Sequence, residues 1–150
     1  MGAGQHDFDT VVSLLGRTPM GDFDVVVRAA DGTPRVIRNA PFMHDGTPMP
    51  TRFWLTDKRA THLIGTLEAT GGVNQAEAEL DPAAVAAVHA RYAAERDAEI
   101  PADYDGHRPF GGVAGTRVGL KCLHAHYAYH LAGGDDIVGR WVAERIEMDL

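Results

Sequence analysis

Apolar positions recur at helical spacing from Asp7 to Leu15, with Val11, Leu14 and Leu15 on one side. Asp7 is placed to cap this helix, and Gly16 followed by Pro19 is a stop. The pattern then changes to β-rich runs. Phe23 to Ala29 and Arg35 to Asn39 flank Asp31-Gly32-Thr33-Pro34, a turn sequence that predicts an antiparallel hairpin. A third strand is predicted at Arg52 to Leu55, after a Pro41 to Pro50 segment whose three prolines and Asp45-Gly46 mark an ordered loop.

Beyond Thr56 the spacing becomes helical again. Thr56 or Asp57 can cap a helix whose stripe is Leu63, Ile64 and Leu67 and which ends near Gly71-Gly72. Asp81-Pro82 starts a long helix, with Val85, Val88 and Tyr92 inward and His89, Arg91, Glu95, Arg96 and Asp97 on a solvated face laced by ion pairs. Ile100 to Arg117 is broken by prolines and glycines and reads as irregular. Two further helices are predicted, Val118 to Leu131 and Ile137 to Ile146, joined through Gly133-Gly134-Asp135-Asp136. These elements predict one α+β domain over residues 1–150: an N-terminal helix, a small antiparallel sheet of about three strands, and about four following helices.

Composition narrows the function. The 150 residues are 45% hydrophobic and 23% charged, enough for one real core. A net charge of −7 opposes a nucleic-acid or anionic-membrane footprint and leaves a small molecule or a protein as partner. A single cysteine excludes an intramolecular disulfide, and no apolar run approaches the roughly 20 residues that span a bilayer. With no signal-peptide pattern at the N-terminus, cytoplasmic residence is the expectation.

The chemistry concentrates in Lys121-Cys122-Leu123-His124-Ala125-His126, continued by Tyr129-His130. On a helix, Cys122, His126 and His130 stack one turn apart while His124 points nearly the other way. Such a face suits zinc or another divalent transition metal, so Cys122, His126 and His130 are candidate metal ligands. Cys122, His124 and His126 are equally candidates for catalysis, metal-bound or not, and His126→Ala is expected to abolish turnover while leaving the fold intact. Buried core histidines and a structural cysteine are the competing explanation. Upstream, Gly111-Gly112-Val113-Ala114-Gly115-Thr116-Arg117 leads to a helix start where free N–H groups favour an anion, with Arg117 and Lys121 adding positive charge.

Leu15-Gly16-Arg17-x-Pro19-x-Gly21, Pro50-Thr51-x-Phe53-Trp54-Leu55-Thr56, Ala94-Glu95-Arg96-Asp97 and the Lys121 to His126 block together resemble the bacterial domain-of-unknown-function family numbered 501, across about residues 11–143. The resemblance implies that Arg17, Thr51, Trp54, Arg96, Lys121, Cys122, His124 and His126 are the family's motif residues. It implies no established activity. Relatives are encoded near exopolyphosphatases and a small septum-formation protein, an association with phosphate metabolism or the cell envelope. Where relatives carry Leu-Thr-Cys-Pro this chain has Leu55-Thr56-Asp57-Lys58, so a two-cysteine site is not essential here. The family's Asn-Pro before Val-Gly is replaced by Asp136-Ile137 before Val138-Gly139.

Three functions fit these readings. One is an enzyme for hydrolysis or transfer at a phosphoryl or acyl centre, with Arg17, Arg96, Arg117 or Lys121 holding an anionic substrate beside Thr51 and Trp54. The second is a noncatalytic anion sensor using the same basic groups. The third is a protein-interaction module of the division or envelope machinery, anchored by Phe53, Trp54 or Trp141. The site is expected where the Arg17 turn, the Trp54 strand end and the Cys122-His126 helix meet.

Overall fold

In the computed structural model, which describes residues 2–150, the first helix, α1 (Gln5–Leu15), begins ahead of the position predicted from Asp7. Gly4 occupies the cap position without a side-chain bond, so Asp7 is not the cap. Its carboxylate instead pairs with Arg28 at 2.7 Å, tying the helix to the sheet. Gly16 ends α1 in the left-handed conformation (φ 73°), which a side chain with a Cβ resists.

The sheet is antiparallel in the order β1 (Phe23–Arg28), β2 (Pro34–Asn39), β3 (Phe53–Leu55), as the hairpin signal predicts. Central β2 is the most buried strand, and α1 covers one face through Val11, Phe23 and Ile37. The other face carries Val36 and Phe53 into a cluster with Val88, Tyr92, Ala128 and Tyr129 from the later helices. Phe53, Tyr92 and Tyr129 meet there as an aromatic trio, with ring centroids 5.0 to 6.3 Å apart.

Helices α2 (Lys58–Ala69) and α4 (Pro82–Asp97) start at Asp57 and Asp81, whose carboxylates accept from Ala60 and Ala83. Between them stands α3 (Gly72–Glu79), a helix the sequence pattern does not predict. Gly71 stops α2 only to redirect the chain, with φ 93°, into another helix. The irregular stretch after α4 contains one 3-10 turn, Val113–Gly115. Helix α5 (Leu123–Leu131) starts later than predicted, and α6 (Ile137–Ile146) begins where expected, with Asp136 accepting from Val138 and Gly139. Among the described residues there are thus five helices after the sheet, and the architecture is α+β. The largest core cluster joins α2, α5 and α6 through Ile64, Leu123, Tyr127, Trp141 and Val142. No helix of the described residues is long and apolar enough to cross a membrane.

Candidate functional site

The late start of α5 rearranges the cysteine-histidine segment. Gly119 adopts φ 74°, which interrupts a helix, and its carbonyl is held by His89 Nε2 at 2.7 Å. Cys122 is therefore an extended N-cap residue (φ −139°, ψ 111°) rather than part of the helix. Helical spacing from Cys122 to His126 and His130 does not apply, and among the described residues these three do not gather as a donor group. The group that forms instead is Glu68, Cys122 and His124, whose ligand atoms all lie within 4.8 Å of one another. Glu68 carries no signal in the local motif, because it arrives from α2, far away in sequence.

Glu68 and His124 are held on both ends. Glu68 Oε2 accepts the Leu123 N–H at 2.8 Å, serving as the cap that Cys122 does not provide. Glu68 Oε1 lies 3.3 Å from His124 Nδ1, and His124 Nε2 lies 3.1 Å from the Thr61 carbonyl. Both ring nitrogens thus face acceptors. The Cys122 sulfur most of all, and then Thr61 and Glu68, hold His124 above its ordinary histidine value against the opposing effect of burial.

Cys122 and His124 open onto a cleft of about 260 Å³ whose wall also includes Arg17, Thr51, Trp54, Thr61 and Ala114. The left-handed Gly16 aims the chain so that the Arg17 guanidinium lies 4.5 Å from the centre of the Trp54 ring. Arg17 is exposed and makes no ion pair among the described residues, whereas most other arginines are matched with a carboxylate. Ala114 has φ 56°, a left-handed conformation that costs a residue with a Cβ roughly 1 kcal/mol. It places a strained main chain in the cleft wall.

The other candidates lie elsewhere. His126 is fully buried, with Nδ1 2.7 Å from Asp136 Oδ2, and Asp136 is fully buried too. Asp136 also caps α6, so this pair joins α5 to α6 inside the core. Removing the imidazole there would strand a buried carboxylate, which corrects the expectation that His126→Ala leaves the fold intact. His130 is half-buried and lies against Tyr127 and Gly139.

Arg96, expected on a solvated face, is 2% exposed and directs its guanidinium to the carbonyls of Pro50, Pro109, Phe110 and Gly111 and to Asp97. It clamps the irregular segment onto α4 and is not free to hold an anion. The glycine loop is equally occupied. Val113 N–H donates to His89 Nδ1, Gly112 N–H to Thr116, and Gly115 N–H to Gly112. Arg117 lies over Phe110 at 4.8 Å, beside His89 and away from the cleft, and Lys121 is exposed without lining the cleft. Of the proposed aromatic anchors, Phe53 and Trp141 are each 5% exposed, and Trp141 is covered by Arg145 at 3.6 Å. Trp54 alone keeps a half-buried face, and it turns that face to the cleft.

No curated protein and no solved structure gives a match to this chain. A family model described as "Protein of unknown function (DUF501)" matches residues 25–144, a span that holds β2, β3 and most of β1, the cleft-lining Cys122 and His124, and Glu68. The chain belongs to that family, DUF501.

Proposed function

We propose that the protein binds a small anionic ligand, bearing a phosphate or carboxylate, in the cleft between Arg17, Trp54 and the start of α5, and acts on it by hydrolysis or transfer. The observation that carries this reading is Arg17. It is an exposed guanidinium, without an ion pair among the described residues, that lies over the Trp54 indole and lines the same cleft as Cys122 and His124 in an otherwise acidic protein. Stacking orients the planar fork and lowers the entropy lost when it grips a bidentate oxyanion. Thr51 offers a hydroxyl at the same wall, and the N-terminal end of α5 adds a favourable dipole.

Noncatalytic binding is a second reading with its own support. Both nitrogens of His124 are engaged with acceptors, so no free imidazole base faces the cleft. Calorimetry with inorganic phosphate, pyrophosphate and small carboxylates, paired with product analysis, tests both. Binding is expected in the parent and is expected to weaken at least about tenfold in Arg17→Ala, the loss of one charge-assisted contact. Failure of every anion to bind, or equal binding by the variant, would sink the reading. Binding with product formation selects the enzyme, and binding without it selects the sensor.

A further inference from the structure

The Glu68, Cys122 and His124 cluster has the donor chemistry and the support of an open transition-metal site. Carboxylate oxygen, thiolate sulfur and imidazole nitrogen are all zinc ligands, and three protein ligands with a fourth position open to a cleft is the arrangement of reactive rather than purely structural sites. We infer that Glu68 Oε1, Cys122 Sγ and His124 Nδ1 form a binding site for zinc or a similar divalent transition metal, with its open side toward Arg17.

Three observations carry this assignment. First, His124 Nε2 is fixed on the Thr61 carbonyl at 3.1 Å, which leaves Nδ1, the nitrogen facing Glu68, to meet an ion. A ligating histidine commonly donates its other N–H to a main-chain carbonyl in this way, which sets the tautomer and the ring plane. Second, Glu68 Oε2 is held by the Leu123 N–H at 2.8 Å, so its other oxygen is pre-aimed at the cluster. Third, the extended conformation of Cys122 sets its side chain beside the imidazole two residues on, which a continuous helix would have turned away.

Ligand atoms in a tetrahedral zinc site stand about 3.5 Å apart. Separations within 4.8 Å therefore leave roughly 1 Å to be closed by side-chain torsions, with the main-chain anchors unmoved. On binding, the thiol proton of Cys122 and any proton on His124 Nδ1 pass to solvent, and the two negative ligands balance the dication. The ion site adjoins the anion cleft and deepens the proposed function by supplying a Lewis acid opposite Arg17. Its own test needs no anion.

Full-length protein stripped with chelator and reloaded with zinc, and separately with cobalt, is assayed by elemental analysis and visible absorption. One ion per chain is expected, with a thiolate-to-cobalt charge-transfer band. Cys122→Ser should lose that band, and Glu68→Gln, which keeps an acceptor for Leu123, should bind zinc at least about tenfold more weakly. His130→Ala should bind like the parent. No ion retained by the parent, or cobalt bound without the thiolate band, would overturn the site, and neither outcome depends on a variant folding. Tight zinc binding surviving in folded Cys122→Ser/His124→Ala would overturn it as well. Phosphate calorimetry on the same samples separates the two ideas: zinc without anion binding removes the function and leaves the ion site, and the reverse removes the ion site alone.

Discussion

Arg96 shows how one side chain can replace secondary structure. Its guanidinium satisfies four main-chain carbonyls from two segments, Pro50 and the 109–111 stretch, that have no strand or helix partner of their own. Arg96→Ala would leave these carbonyls buried or hydrated only by opening the structure, and the expected loss is about 3 kcal/mol or more, read from urea denaturation. Arg96→Lys should recover only part of it, because a compact ammonium cannot span the same fork. A stability equal to the parent in both variants would show that the clamp is dispensable. The sequence displayed Arg96 within an ordinary run of charges, Glu95-Arg96-Asp97, where exposure is the reasonable expectation. Its burial follows from acceptors 13 to 46 residues away, which local spacing does not reveal.

At the scale of elements, the instructive boundary is the start of α5. Leu120, Leu123, Tyr127 and Leu131 have helical spacing, and on that basis the helix extends back to Val118. Gly119 breaks it, held left-handed with its carbonyl on His89 of α4. The same close fit appears where α5 meets α6: a Cβ on Gly139 would come within 2.4 Å of His130 Cβ and 2.6 Å of the His126 carbonyl oxygen. Gly139→Ala should therefore push the two helices apart and cost roughly 1–3 kcal/mol, despite the better helix propensity of alanine. Thermal unfolding measures it, and a variant as stable as the parent would mean that the interface yields freely. Helix α3 was illegible for a related reason: Gly71-Gly72 is a proper stop signal, and only packing of Ala76 into the core makes the next residues helical.

At the scale of the molecule, the cleft is a junction. The end of α1, the approach to β3, Thr61 of α2, the strained Ala114 and the start of α5 each contribute a wall, with Glu68 of α2 beside Cys122 and His124. A ligand bound there bridges segments that separate on unfolding, so it stabilises the whole fold by mass action. Zinc at about 100 times its dissociation constant should add about 2.7 kcal/mol, raising the melting temperature of the parent but not of Cys122→Ser/His124→Ala. Arg17→Ala should keep the zinc-induced rise, since Arg17 is outside the donor set; an abolished rise would place the ion nearer Arg17. Local pattern alone determined the α+β class, the antiparallel hairpin and most helix boundaries, because period, turn residues and caps act over a few residues. The concentration of cysteine and histidine singled out Cys122 and His124, and the family resemblance implied Arg17 and Trp54; the fold brings all four to one cleft. Tertiary structure decided which histidine faces outward, that His126 and Arg96 belong to the core, and that Glu68 joins the cluster. Those outcomes depend on where Gly119, Asp136 and Thr61 come to rest in space, and long-range hydrogen bonds and packing leave no periodic trace in the chain.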